Sequence, residues 1–342
     1  MDREHEKMQF LGLHGIYHDS FKVISSWRKL FAQISLTLIL PSVFIMLCRE
    51  KISDDIIGNL FRDEFLFKQT QEGDKLWMDQ KRAGSPLNSY FAGAVAADWK
   101  YFAIFLVVYI TVILLLRLLY TAAVVYATAS VYAKAEVSFK KVMKVVPRVW
   151  KRLLVTFVCP FLLTLVSLVV FIIIFVGLLV LLGDSFIVAL VTAALPILYL
   201  VGFFYLVIVF QLANVVSVLE DACGLTAMVK SKELIRGKAL LASGILVIQI
   251  VMFAAMKGVI VSFAMNGSSA PAYRVCVGVV GIPLLSAVLL LDVVLQTILY
   301  LVCKAHHRED VDKSALSDHL DVYYWDYVPL RSKDVQLEVY AA

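Results

Sequence analysis

Three ionisable residues lie inside long apolar runs: Arg117, Lys257 and Asp292. A charge at the centre of a membrane span costs at least about 2.5 kcal/mol, so such residues face protein or water and are candidates for a polar site. Arg117 is 16 residues in from Tyr101, and Asp292 is 17 residues in from Val275. The two runs travel in the same direction, so equal depth predicts that the charges pair. A buried Arg–Asp pair suits an ion, a proton or a lipid headgroup, and it equally suits fixing the order of the helices. The other polar span residues are few: Gln211, Gln249 and Gln296, with Asn214 just past a span end. That sparseness favours the structural role, because a transport path usually offers more polar groups and helices broken by Gly or Pro at midplane. Lys257 sits 8 residues before Met265, near the end of its run, and is expected to be shallower and able to snorkel.

No other constellation carries chemistry. The sequence has no Walker loop, no dinucleotide-binding glycine pattern and no His-Glu-x-x-His. Its six histidines, His5, His14, His18, His306, His307 and His319, all lie toward the chain ends, and no nucleophile–base pair stands out. No metal site, cofactor or catalytic residue is expected. The five cysteines, Cys48, Cys159, Cys223, Cys276 and Cys303, lie in or beside apolar runs without zinc-ligand spacing. They read as packing residues, with Cys48 and Cys303 near span ends as candidates for acylation.

The elements that must position these residues are membrane helices. The chain is 61% apolar and 17% charged over 342 residues, against about 45–50% and 25% for soluble domains. The excess is laid out in blocks of the length a bilayer requires, about 20 residues. The expected fold is an all-α membrane protein, a six-span bundle with spans near 30–48, 101–133, 153–182, 185–212, 245–265 and 275–303. Residues 1–29 form a cytosolic segment with no cleaved leader, 49–100 a polar non-cytosolic loop, and 304–342 a cytosolic acidic, aromatic tail. Asp54–Phe67 is expected to form a short interfacial helix, and Gly183-Asp184 a minimal turn between antiparallel spans. Pro41 should kink the first span.

The most distinctive stretch is basic and amphipathic. Val142, Met143, Val146, Trp150 and Leu153 share one helical face; Lys140, Lys141, Lys144, Arg148, Lys151 and Arg152 fall largely opposite. Such a helix suits the headgroup layer and anionic lipids, or else serves as a connector that sets topology. Pro147 is expected to split it in two. Weaker versions at Asp19–Lys29 and Leu225–Lys238 also precede hairpins, which points to three helix-plus-hairpin structural repeats rather than sequence repeats. Of the 32 Lys and Arg, 21 fall on the side of the termini, 9 on the other side and two inside spans. The positive excess places both termini in the cytosol. Tyr327 and Leu330, in Tyr327-Val-Pro-Leu, fit a short sorting pattern, and Tyr323, Tyr324, Trp325 and Tyr327 equally suit docking back on the bundle. Membrane surface explains the basic residues more simply than nucleic acid does.

Several stretches carry a resemblance. Met8-Gln-Phe-Leu-Gly, Ser26-Trp-Arg-Lys-Leu-Phe, Thr37-Leu-Ile-Leu-Pro, Val215-Val-Ser-Val-Leu-Glu-Asp with Gly224-Leu, Asp318-His-Leu-Asp-Val-Tyr, Tyr327-Val-Pro-Leu and Lys333-Asp-Val-Gln-Leu-Glu together span nearly the whole chain. They resemble a plant family of uncharacterised multi-pass membrane proteins, sometimes labelled polyadenylate-binding-protein-binding proteins. More distantly, the organisation is similar to the membrane domain of bacterial glycerophosphodiester phosphodiesterases. Their catalytic domain has no counterpart here, so no hydrolase activity is implied. The resemblance implies membrane architecture and a plant origin, and supplies no catalytic residues. The reading is therefore a non-enzymatic protein of the endoplasmic reticulum, another endomembrane or the plasma membrane. It would act as a scaffold, assembly or trafficking partner, with protein partners through its tail. The alternative is a transporter or channel for a small solute or lipid, centred on Arg117 and Asp292.

Overall fold

The computed structural model describes residues 12–77, 86–133, 138–182, 186–220, 222–265 and 271–307. Among these, the backbone is nine α-helices and one π-helical turn, with no strand. The helices are α1 Leu13–Ser26, α2 Arg28–Ile34, α3 Leu40–Trp77, α4 Pro86–Tyr132, α5 Phe139–Leu182, α6 Phe186–Leu219, α7 Leu225–Ile235, α8 Ala239–Met265 and α9 Pro271–His306. Six segments are long and apolar enough to cross a membrane: Arg28–Gly58, Trp99–Tyr132, Val149–Val180, Leu190–Leu219, Ala239–Phe263 and Val275–His306. The shortest holds 25 residues, about 37 Å at 1.5 Å per residue, against about 30 Å of hydrocarbon. The chain is an all-α multi-pass membrane protein.

The prolines act more gently than expected. Pro41 cannot donate to the carbonyl four residues back, and its ring crowds that carbonyl, on Thr37. The chain answers with a π turn over Ser35–Ile39, where Leu40 N–H reaches Ser35 O. The wider turn makes room for the ring, and the helix continues into α3. Pro147 does not split the basic segment. Both Pro147 and Pro160 lie inside the single helix α5, so the basic stretch forms the first turns of the helix that becomes the third span. Nor is 49–100 mainly a loop: helix runs from the first span through Trp77 and resumes at Pro86. Its residues are charged but contain few breakers, so nothing ends the helix at Cys48. The turns expected at 183–184 and 266–270, and the tail from 308 onward with Tyr327 and Leu330, lie outside the described residues.

Two compact units arise. One comprises 1–31, 121–247 and 292–342; the other 32–120 and 248–291. In the first, α5 and α6 form an antiparallel hairpin. Phe157 meets Phe210 edge-on at 5.0 Å, and Phe171 stacks on Tyr199 at 4.5 Å. The unit's core comes from the ends of the even-numbered spans. Residues 121–130 of α4, 212–219 of α6 and 293–303 of α9 are buried on all sides. In the same unit α1 buries Ile16, the start of α5 buries Val142, Val146 and Val149, and α7 buries Ala227 and Leu234. Each of these amphipathic segments precedes an odd-numbered span, which matches the expected helix-plus-hairpin order. In the second unit α8 and α9 approach closely: a Cβ on Gly281 would stand 2.7 Å from Ile260 Cγ1. Small residues permit this approach, which is how helices pack where lipid supplies no hydrophobic drive.

Candidate functional site

The first unit holds a charged hub built on Glu220, the residue after the fourth span. Helix α6 ends at Leu219, so the carboxylate emerges beside α7 and the end of α9. Lys230 Nζ lies 2.6 Å from Oε2, Lys304 Nζ lies 3.0 Å from Oε1, and Tyr300 Oη donates to Oε1. Burial opposes ionisation of Glu220. Hydrogen bonds from Lys230 and Tyr300 and the Lys304 charge outweigh it and hold the carboxyl below its ordinary range. Further contacts strap α7 in place. Gly224 N–H donates to Thr156 Oγ1 at 3.0 Å, and His307 Nε2 lies 3.2 Å from the Leu234 carbonyl oxygen. Gly224 has φ of +61°, and its missing side chain would meet Val155 and Cys159 of α5.

The second unit contains an ion pair inside the spans. Lys257 Nζ donates to Glu50 Oε1 at 2.7 Å. Arg49 Nη1 lies 3.5 Å from the same oxygen, and the Arg49 guanidinium stands 5.3 Å from the centre of the Tyr109 ring. Lys257 therefore has a carboxylate partner and is not simply reaching for water. Each charge offsets part of the cost of burying the other.

The remaining expected residues are placed as follows. Arg117 is exposed on α4 and belongs to the second unit, whereas Asp292 is half-buried on α9 in the first. Within the first unit, Asp292 acts on Tyr17 of α1. Burial first, and then the Asp292 charge, push the Tyr17 phenol up. Tyr17 Oη, Thr128 Oγ1 and Asn214 Oδ1 are buried without a hydrogen-bond partner among the described residues. On α5, Lys140, Lys144 and Lys151 are exposed and Lys141 and Arg152 half-buried; the Arg148 side chain lies outside the described residues. The apolar face opposite them is packed on protein, with Val142 0% exposed and Val146 2%, rather than laid on lipid. Cys303 is 0% exposed, which removes it as an acylation site. Among the described residues, no group of His, Cys, Asp and Glu could hold a metal ion.

Sequence reasoning misses Glu50 and Glu220 because both fall in stretches read as polar connectors, 49–100 and 213–243. A depth count finds the first. Spans one and five run the same way, and Glu50 and Lys257 both lie toward their far ends. No local signal finds the second, whose partners come from positions 230, 300 and 304.

A family model described as "Domain of unknown function (DUF8558)" matches residues 1–340, and the chain belongs to that family. No curated protein and no solved structure matches it.

Proposed function

We propose that this chain is a non-enzymatic membrane scaffold, an assembly or trafficking partner of an endomembrane, with both termini cytosolic. The observation that carries the reading is how its charges are used. Lys257 and Glu50 neutralise one another between spans, and Glu220 gathers three donors from α7 and α9. Charges consumed in this way pin helices together and leave little for a moving solute. The plant origin, the kinship with polyadenylate-binding-protein-binding proteins and the distant likeness to the phosphodiesterase membrane domain rest on the sequence motifs. Partners would engage through the acidic, aromatic tail. Purifying the full chain and a chain lacking 308–342 from native membranes tests this. Loss of a reproducible partner set on deletion is expected, and an unchanged set would count against it. The cut falls after His307, so the Lys304 and His307 contacts are kept.

A second reading, transport of a small solute or lipid, is favoured by the Asp292 charge felt at Tyr17 and by the buried Asn214 and Thr128 oxygens that lack a hydrogen-bond partner among the described residues. Under that reading Asp292→Asn abolishes flux in reconstituted vesicles and leaves thermal stability intact. Under the scaffold reading it lowers stability.

A further inference from the structure

Helix α7 has two unlike faces. Ala227, Met228, Ser231, Leu234 and Ile235 are buried against the first unit. The outward face is not what water would select, since Leu225 is 56% and Val229 58% exposed. At the start of α8, Leu240 is 90% exposed. A shallow, open depression of about 500 Å³ borders this outward face, lined by Leu225, Thr226, Val229, Lys230 and Glu233.

The position of α7 determines what can reach the depression. Only residues 220–224 separate it from the fourth span, and 236–238 from the fifth. Five extended residues reach about 18 Å at most, so α7 stays at the membrane surface. It lies on the same side as α1 and the basic start of α5, because all three precede odd-numbered spans. Its charge is mostly positive: Lys232 and Arg236 are exposed and Lys238 half-buried, against one exposed carboxylate, Glu233. Lys230 is held by Glu220 at the inner edge. An apolar ridge at headgroup depth, ending in cations, matches an acyl chain with a phosphate above it.

We propose that the outward face of α7 is a binding site for an anionic glycerophospholipid of the adjoining leaflet. The acyl chain lies along Leu225 and Val229, and the headgroup meets Lys232 and Arg236. This rests on the membrane-spanning reading of the six helices and not on the scaffold role.

The test uses the full chain in nanodiscs of phosphatidylcholine with a minor fraction of phosphatidylserine. Native mass spectrometry then reads the lipid that stays bound after release from the disc. The wild type should retain phosphatidylserine over phosphatidylcholine. Leu225→Asn with Val229→Asn, and separately Lys232→Gln with Arg236→Gln, should each cut that retention roughly tenfold. All four positions are exposed, so gel-filtration profiles should stay as in the wild type. If the apolar pair disturbs folding, the charge pair decides. Lys140→Gln with Lys151→Gln, which removes two exposed charges from the basic start of α5, should lower retention far less than the α7 charge pair does. An equal loss in that control would mean diffuse attraction to the whole basic side and overturn the site. So would wild-type retention in both α7 variants. Retention that appears only after deleting 308–342 would mean that the tail occupies the depression, and would also overturn it.

Discussion

Glu220 gathers polar contacts from Lys230, Tyr300 and Lys304 in the first unit. Glu220→Gln would leave Lys230 and Lys304 facing each other without a carboxylate. The expected loss is about 1–3 kcal/mol, read as a lower unfolding temperature in detergent. The pH dependence has a definite sign. The folded-state pKa of Glu220 lies below its ordinary value of 4.5, so the contribution is fully present above that value and is lost as pH falls through the folded one. The gap in stability between wild type and Glu220→Gln should therefore close on acidification, not on raising the pH. Gly224 is a second test at this scale. Its φ of +61° and ψ of −127° suit glycine alone, and a Cβ would stand 3.2 Å from Val155 Cγ1. Gly224→Ala should cost about 1–3 kcal/mol of backbone strain and loosen α7, read as faster amide exchange over 225–235. At the residue scale, the sequence makes Lys257 conspicuous because charge in an apolar run is rare. It hides Glu50 and Glu220, because a carboxylate at a span end looks like the start of a loop.

At the scale of elements, apolar run length exposes all six spans, since few non-membrane structures need such blocks. Helix ends are less legible. The runs 49–77 and 139–152 look like loop and surface helix by charge, yet a helix needs only the absence of breakers to continue, and Pro147 in α5 is tolerated. The basic face is legible; the burial of its apolar side is not, because the local pattern reads the same whether Val142 and Val149 meet lipid or protein. The contact of α8 with α9 gives the prediction for this scale. Gly281→Leu would drive a side chain into Ile260, which already stands at 2.7 Å from an ideal Cβ. The helices must then separate, at a cost of about 1–3 kcal/mol. A cysteine pair at the Ile260 and Gly281 positions should cross-link in membranes, and cross-linking of cysteines flanking the contact should fall in the Gly281→Leu background.

Across the whole molecule, three amphipathic segments precede three odd-numbered spans, and the ends of three even-numbered spans fill the core of the first unit. The order is readable in sequence from the basic segments. The inward role of 121–130, 212–219 and 293–303 is not, because a stretch apolar all round looks the same facing lipid or protein. The central claim is that charge inside this bundle holds helices together. Thermal unfolding of Glu50→Gln, Lys257→Met and the double variant in nanodiscs tests it most directly. The account predicts that each single variant loses on the order of 1–2 kcal/mol, with Glu50→Gln worse because it leaves both Arg49 and Lys257 without the carboxylate. The double variant should regain part of that loss. Single variants as stable as the wild type, or strictly additive losses in the double, would contradict it.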